Sequence, residues 1–151
     1  PDLDAVVAPV GGGGLLAGTA TALEGAATRV LAFGAEPADA DDTAQSLEAG
    51  ERVRIDPPDT IADGARVEIP GEKTFPILME RAEAVVRVPD DALIRAMRLI
   101  LTRMKILVEP TGALAAAAAL EGLLPDGVER LGVILSGGNV DPATLADLLV
   151  R

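Results

Sequence analysis

The chain has 151 residues, a formal net charge of −11, and neither cysteine nor histidine. Disulfides, thiolate catalysis, cysteine-ligated zinc and a histidine general base are therefore excluded, and the negative charge disfavours binding to nucleic acid or an anionic membrane. Apolar residues make up 49% of the sequence, enough for a substantial core, and no apolar run approaches the ~20 residues that span a bilayer. The composition is consistent with a cytoplasmic protein.

The first half of the chain predicts a strand, a glycine turn, a helix and a second strand. This order is typical of a right-handed βαβ crossover and therefore of a parallel sheet. A stretch rich in proline and glycine then predicts irregular structure. The predicted elements are a strand over 5–10, a helix over 15–27, a strand over 30–35, an acidic turn over 36–42, a helix that ends near Gly50, irregular structure over 51–72 and a short helix over 74–81.

The second half predicts two further strands and three further helices. An apolar stripe in the first of these helices, and five consecutive alanines in the second, indicate helix faces that pack tightly. The predicted elements are a strand over 84–88, a helix over 90–105 with Asp90 as N-cap and the stripe Leu93, Met97, Ile100, Leu101 and Met104, a helix over 110–123, a strand over 131–135 and a helix to 150 capped by Asp141. The fold class is α/β, a parallel sheet with helices on both faces.

Four consecutive glycines, Gly11 to Gly14, lie between the first strand and the first helix. They expose a run of backbone N–H groups beside a helix N-terminus, which is a favourable site for phosphate. Adjacent glycines also carry a large conformational entropy cost. The alternative is a flexible turn, and phosphate binding is the interpretation we favour.

The dinucleotide fingerprint G-x-G-x-x-G/A also fits this segment, as Gly12-x-Gly14-x-x-Ala17, and Glu36 ends the next strand near the ~20-residue spacing of a ribose-binding acid. An NAD-binding domain is therefore an alternative. Two features count against it, the extra glycine in the fingerprint and a second glycine loop, Ser136-Gly-Gly-Asn139, after the last strand. Because ligands bind at the carboxyl ends of parallel strands, both loops can face one ligand. The Ser136 hydroxyl could then reach a ring nitrogen, whereas the alternative is a tight turn.

The acidic turn offers oxygen atoms to a hard cation. Glu36, the Ala40 carbonyl and Asp42 could bind Mg²⁺ or Ca²⁺, with waters completing the shell. From spacing alone, a solvated turn that caps the following helix is the favoured interpretation.

Five motifs in order give the chain a resemblance to a known family. They are Pro9-Val-Gly-Gly-Gly-Gly-Leu-Leu-Ala-Gly18, Ala35-Glu-Pro37, Thr60-Ile-Ala-Asp-Gly64, Glu109-Pro-Thr-Gly-Ala113 and Leu135-Ser-Gly-Gly-Asn-Val-Asp141. Nearly the whole chain resembles the C-terminal half of the threonine/serine dehydratases and serine racemases. These are pyridoxal-phosphate enzymes of the tryptophan-synthase-β fold type (fold type II).

The resemblance implies a set of site residues. By its motifs, the backbone N–H groups of Gly11, Gly12, Gly13, Gly14 and Leu15 bind the phosphate of pyridoxal 5'-phosphate, and Ser136 contacts the pyridine nitrogen. Glu36, Ala40 and Asp42 match a divalent-cation site of racemase-like members, which makes Mg²⁺ or Ca²⁺ an expected second ligand.

The resemblance also implies that residues 1–151 are the C-terminal portion of the cofactor-binding large domain. The family's Schiff-base lysine lies in a Ser-x-Lys-x-Arg-Gly segment that this sequence lacks, as it lacks the small domain. We therefore expect the chain alone to be inactive. The implied parent is an L-threonine/L-serine ammonia-lyase, a homo-oligomer (dimer or tetramer) that yields a 2-oxo acid and ammonia. A serine racemase is the alternative.

Overall fold

A computed structural model describes residues 2–25 and 29–150. Its elements follow the predicted order, with strand and helix bounds that differ by a few residues. They are β1 (Ala5–Pro9), α1 (Gly14–Leu23), β2 (Leu31–Pro37), α2 (Asp42–Ala49), a 3₁₀ turn (Asp63–Ala65), α3 (Phe75–Arg81), β3 (Ala84–Val88), α4 (Asp90–Leu99) continuing into a π-helical turn (Ile100–Met104), α5 (Pro110–Leu120), β4 (Leu131–Val133) and α6 (Pro142–Val150). The predicted end of the first helix at Ala27 lies outside the described residues.

The four described strands form one parallel sheet in the order β3-β2-β1-β4. Apolar side chains cover both of its faces. On one face, β1 and β2 bury Val7 and Phe33 against α4, α5 and α6. On the other face, Ala8 and Val10 pack with residues of α1, α2 and α3 such as Leu16 and Leu78. The predicted fold class, a parallel sheet with helices on both faces, is confirmed.

Small residues allow the helices to approach the sheet closely. Ala115, Ala116, Ala117 and Ala118 of α5 are all buried, which confirms the tightly packed alanine face. Gly34 in β2 is a second position where a small residue is required. A Cβ there would lie 2.6 Å from Val10 Cγ2 and 2.7 Å from Leu16 Cδ2. Both are closer than real Cβ atoms come to side chains, so any other residue at this position would force the side chains of Val10 and Leu16 to shift.

Three local predictions differ from the structure. Asp90 does not cap α4, because its carboxylate instead accepts hydrogen bonds from Thr60 Oγ1 at 2.5 Å and the Ile61 N–H at 2.8 Å. Met104 is 53% exposed and Leu101 is half-buried, because the helical spacing changes where α4 becomes a π-helical turn. The second strand extends to Pro37, so Glu36 lies in the sheet rather than in a turn.

Candidate cofactor and cation sites

The tetraglycine loop connects the carboxyl end of β1 to the first turn of α1. Gly13 is the N-cap residue, with φ of 84°, a left-handed conformation that favours glycine. The first N–H groups of α1 have no partner within the helix and are directed toward its N-terminal end. The sequence-predicted Gly11, Gly12, Gly13, Gly14 and Leu15 therefore form one continuous backbone surface that can bind an anion.

The two sides of this loop differ. Gly12, Gly14 and Leu15 are exposed, and a Cβ on Gly12 or Gly14 would have no described atom within 4 Å. Gly13 is buried, and a Cβ there would lie 2.8 Å from Leu78 Cδ1 and 3.0 Å from Thr74 Oγ1. One side of the loop is thus packed against the protein, and the other is open to a ligand.

Ser136 follows β4, which pairs directly with β1. The tetraglycine loop and the Ser136 loop therefore lie at the carboxyl ends of adjacent strands. The Glu109 N–H donates to the Gly137 carbonyl at 3.1 Å, and a Cβ on Gly112 would overlap that carbonyl. The start of α5 thus supports the Ser136 loop from behind, and Ser136 itself is exposed.

The sequence predicts irregular structure over residues 51–72, but part of this segment lies against the tetraglycine loop. A Cβ on Gly11 would lie 2.8 Å from the Gly64 carbonyl oxygen, and the Gly64 N–H donates to Thr111 Oγ1 at 3.0 Å. Gly64 and Thr111 both belong to motifs that carry the family resemblance. Those motifs are the only sequence signal of this contact, because the two residues are far apart in the chain.

Glu36 and Asp42 are each only 1% exposed, so the interpretation of a solvated turn is wrong. Glu36 points from β2 toward the start of α2, and its Oε1 accepts a hydrogen bond from the Ala44 N–H at 2.8 Å. Removal from water, together with the negative charge of the nearby Asp42, raises the pKa of Glu36 to about 8. Burial likewise raises the pKa of Asp42 to about 7.

The buried carboxyl groups leave hydrogen-bonding capacity unused. Asp42 Oδ2 and Thr43 Oγ1 are buried without a hydrogen-bond partner in the described part of the chain. Ala40, whose carbonyl completes the predicted ligand set, is also buried. Within residues 2–25 and 29–150, no group of three or more histidine, cysteine, aspartate or glutamate side chains is arranged to hold a metal ion. The Glu36 and Asp42 pair would need carbonyl and water ligands in addition.

Asp41 differs from its neighbour Asp42. Its Oδ2 accepts from Arg87 Nε at 2.7 Å, and its Oδ1 accepts from Gln45 Nε2 at 2.6 Å. Arg87 also donates to both oxygens of Glu48, at 2.8 and 3.1 Å. These contacts connect α2 to β3, and they occupy both oxygens of Asp41.

The two lysines of the chain belong to neither the glycine loops nor the acidic site. Lys105 has φ of 60°, directly after the π-helical turn, and its Nζ donates to the Thr102 carbonyl at 2.6 Å. Lys73 is exposed. Neither belongs to a segment that matches the family's Schiff-base motif.

No helix in the described residues is both long enough and apolar enough to cross a membrane.

Comparison with known proteins matches residues 1–137 to the family described as pyridoxal-phosphate dependent enzyme. A serine racemase from Dictyostelium discoideum is 42% identical over 98% of this chain and 47% of that protein. An L-threo-3-hydroxyaspartate ammonia-lyase from a Pseudomonas species is 42% identical over 97% of this chain and 46% of its own length. The crystal structure of a threonine deaminase from T.th. superposes with a TM-score of 0.86 and 52% identity, covering 92% of this chain and 45% of that one. The chain thus spans about half the length of these relatives.

Proposed function

The chain belongs to the family of pyridoxal-phosphate dependent enzymes of fold type II, and from that membership we propose that the full-length protein is an L-threonine/L-serine ammonia-lyase. It would convert the amino acid to a 2-oxo acid and ammonia. The observation that carries this proposal is the open tetraglycine loop at the carboxyl end of β1, beside the Ser136 loop of the adjacent strand. Membership of this family argues against the alternative of an NAD-binding domain. We assign residues 1–151 to the C-terminal part of the cofactor-binding large domain.

The tetraglycine loop fits the phosphate group of the cofactor. Its open side has room at Gly12 and Gly14, where a side chain would otherwise fill the space. The backbone N–H groups from Gly11 to Leu15 would bind the phosphate oxygens, and the dipole of α1 would favour their negative charge. Local binding of this kind is compatible with a net charge of −11, because backbone groups supply the positive potential.

Ser136 would contact the pyridine nitrogen. When bound, pyridoxal phosphate supplies an electron sink for the negative charge that develops at the α-carbon of the substrate. A serine hydroxyl is neutral and leaves the ring nitrogen largely unprotonated, whereas a carboxylate would favour its protonation. Ser136 thereby moderates the electron sink, which suits loss of the β-hydroxyl group.

Serine racemase is the second candidate function. The observation that favours it is the 42% identity to the Dictyostelium serine racemase, equal to the identity to the Pseudomonas ammonia-lyase. Both activities use an amino-acid substrate and the same cofactor. Assembly into a homo-oligomer and a cytoplasmic location stay predictions.

The acidic site, formed by Glu36, Ala40 and Asp42, has donor atoms that suit a divalent cation. Two buried carboxyl groups, one with an oxygen that has no partner among the described residues, lie next to the buried Ala40 and are oxygen ligands of the kind that Mg²⁺ and Ca²⁺ prefer. We propose that Glu36, the Ala40 carbonyl and Asp42 bind such a cation together with waters. The cation would hold both carboxylates in their ionised form and would connect β2 to α2, so its role is structural.

The test of the main proposal is an assay of the purified full-length protein with L-threonine and L-serine. An ammonia-lyase releases 2-oxobutanoate from threonine and pyruvate from serine, and a racemase releases D-serine, which chiral chromatography detects. Predominant formation of 2-oxo acids would support the lyase. Predominant formation of D-serine would favour the racemase, and absence of all three products with cofactor bound would contradict both.

A further inference from the structure

We infer that Thr74 is a positioning residue for the phosphate-binding loop: its hydroxyl holds the Gly12 carbonyl so that the next N–H group faces the ligand. This inference rests on the proposed function, because it assumes that the tetraglycine loop binds the cofactor phosphate. Thr74 lies 62 residues from Gly12 in the sequence and immediately precedes α3.

The contact between the two residues is short. Thr74 Oγ1 donates to the Gly12 carbonyl oxygen at 2.6 Å. Within the described residues, the only other carbonyl oxygen to which Thr74 Oγ1 can donate is that of Gly71, at 3.2 Å. A hydroxyl has a single hydrogen to donate. The shorter and better contact is therefore the one to Gly12. The Gly71 N–H also reaches the Gly12 carbonyl, at 3.3 Å.

The position of Thr74 makes this contact informative. Thr74 is the N-cap residue of α3, where a threonine side chain ordinarily accepts a hydrogen bond from an N–H of its own helix. Within the part of the chain that the structure describes, it makes no such capping bond. The hydroxyl instead serves the tetraglycine loop, and α3 forgoes the stabilisation that a side-chain cap contributes.

The planarity of the peptide bond links this carbonyl to the ligand side. In a trans peptide the carbonyl of Gly12 and the N–H of Gly13 point in opposite directions. Because Thr74 and Gly71 hold the carbonyl on the packed side of the loop, the Gly13 N–H points toward the open side. Rotation of this peptide would turn the N–H away and present a carbonyl oxygen, which repels phosphate.

Neighbouring groups pack closely around the contact between Thr74 and Gly12. A Cβ on Gly71 would lie 2.7 Å from Thr74 Oγ1 and 3.0 Å from the Gly12 carbonyl oxygen. Gly13 is similarly enclosed by Thr74 and Leu78. The segment from Gly71 to Thr74 is therefore closely packed against the tetraglycine loop, and we assign to the hydroxyl the role of fixing the direction of the Gly12–Gly13 peptide.

The experiment compares pyridoxal 5'-phosphate with pyridoxal, which lacks the phosphate, in binding to the full-length apoenzyme. The dissociation constant of pyridoxal divided by that of pyridoxal 5'-phosphate measures how much the phosphate contributes to binding. Thr74→Val removes the hydroxyl at nearly constant shape and should reduce this ratio about five- to tenfold, the effect of one lost hydrogen bond. Thr74→Ser should retain the wild-type ratio. Thr21→Val is the matched control. Thr21 lies near the C-terminal end of α1, away from the tetraglycine loop, and its hydroxyl also donates to a backbone carbonyl, that of Ala17.

Each outcome decides the inference. If Thr74→Val leaves the ratio unchanged, the inference is overturned. An unchanged ratio with both ligands weakened equally would indicate a general structural role for Thr74. A Thr74→Ser variant with a reduced ratio would also overturn the inference, even if the valine variant failed to fold. If the wild-type protein itself binds both ligands equally, the phosphate site of the proposed function is wrong. If the wild type discriminates strongly and Thr74→Val does so equally well, only the role of Thr74 is wrong.

Discussion

Arg87 donates a hydrogen bond to Asp41 across 2.7 Å, and this contact separates the roles of two adjacent aspartates. Gln45 occupies the other oxygen of Asp41. Asp42, the next residue, is buried and keeps Oδ2 without a partner in the part of the chain that the structure describes. Asp41 therefore anchors α2 to β3, and Asp42 is the aspartate whose carboxylate can serve a cation.

We predict that Mg²⁺ or Ca²⁺ stabilises the full-length protein through Asp42. A cation that binds only the native state adds ~2.7 kcal/mol to the free energy of unfolding at a hundredfold excess over its dissociation constant. Asp42→Asn should abolish most of this shift in melting temperature, measured after EDTA treatment with and without the cation. Asp39→Asn, at an exposed position, is the control and should retain it. Equal shifts in wild type and Asp42→Asn would contradict the cation site.

In metal-free buffer we predict that stability falls as the pH rises from about 4 to about 8. Desolvation raises the pKa of Glu36 to about 8 and that of Asp42 to about 7. The native protein retains protons that the unfolded chain has released, up to about pH 7 at Asp42 and about pH 8 at Glu36. Within its range each carboxyl group lowers the free energy of unfolding by at most about 1.4 kcal/mol per pH unit. The measurement is chemical denaturation at a series of pH values.

Glu36→Gln should flatten this pH dependence, since the amide does not titrate, whereas Glu51→Gln at an exposed position should leave it unchanged. A saturating cation should reverse the trend, because it binds the ionised carboxylates, which become more abundant as the pH rises. A metal-free protein whose stability increases between pH 5 and 8 would argue against both raised pKa values.

Gly13→Asp should abolish cofactor retention in the full-length protein. A Cβ at this position would lie 2.8 Å from Leu78 Cδ1 on the packed side of the loop, and the backbone has φ of 84°, so an aspartate would displace the loop from the conformation proposed to bind the phosphate. The measurement is the pyridoxal phosphate content after dialysis. Gly50→Asp is the matched control, because Gly50 also has a positive φ, 74°, but has open space around it. Wild-type cofactor content in Gly13→Asp would remove this loop from the site.

Ser136→Ala should retain more cofactor than Gly13→Asp but alter its absorption spectrum. The substitution removes the hydroxyl proposed to contact the ring nitrogen and leaves the phosphate loop intact. Ser136 is exposed and supported by the start of α5, so the free energy of unfolding should change by less than about 0.5 kcal/mol. A spectrum identical to that of the wild type would exclude contact between Ser136 and the ring.

Chain 1–151 alone should release no 2-oxobutanoate from L-threonine above a control with free pyridoxal phosphate. Its two lysines, Lys73 and Lys105, lie outside any segment that matches the Schiff-base motif, and covalent catalysis of this type requires that lysine. Lys105 is further engaged with the Thr102 carbonyl. The assay measures 2-oxo acid over time, and a rate above the control would show that a lysine of this chain can serve.

The order and type of the regular elements follow from local patterns in the sequence. An apolar run, four glycines, an alanine-rich helix and a second apolar run predict β1, α1 and β2, and the bounds of β3 at residues 84–88 agree with the structure. These features depend on neighbours within a few residues, so hydrophobic periodicity and turn chemistry are sufficient to predict them. The positions of the tetraglycine loop and Ser136 at strand ends follow in the same way.

The environment of the polar side chains was decided only by the tertiary structure. The pattern around Glu36 and Asp42 is that of a solvated turn, but extension of β2 to Pro37 and the packing of α2 bury them. Asp90 has the sequence pattern of a helix cap, yet its carboxylate serves Thr60 and Ile61, about thirty residues away. Thr74 likewise contacts Gly12 rather than its own helix. Hydrogen-bonding side chains of this kind have several partners within their chemical reach, and only the arrangement of distant segments in space selects among them.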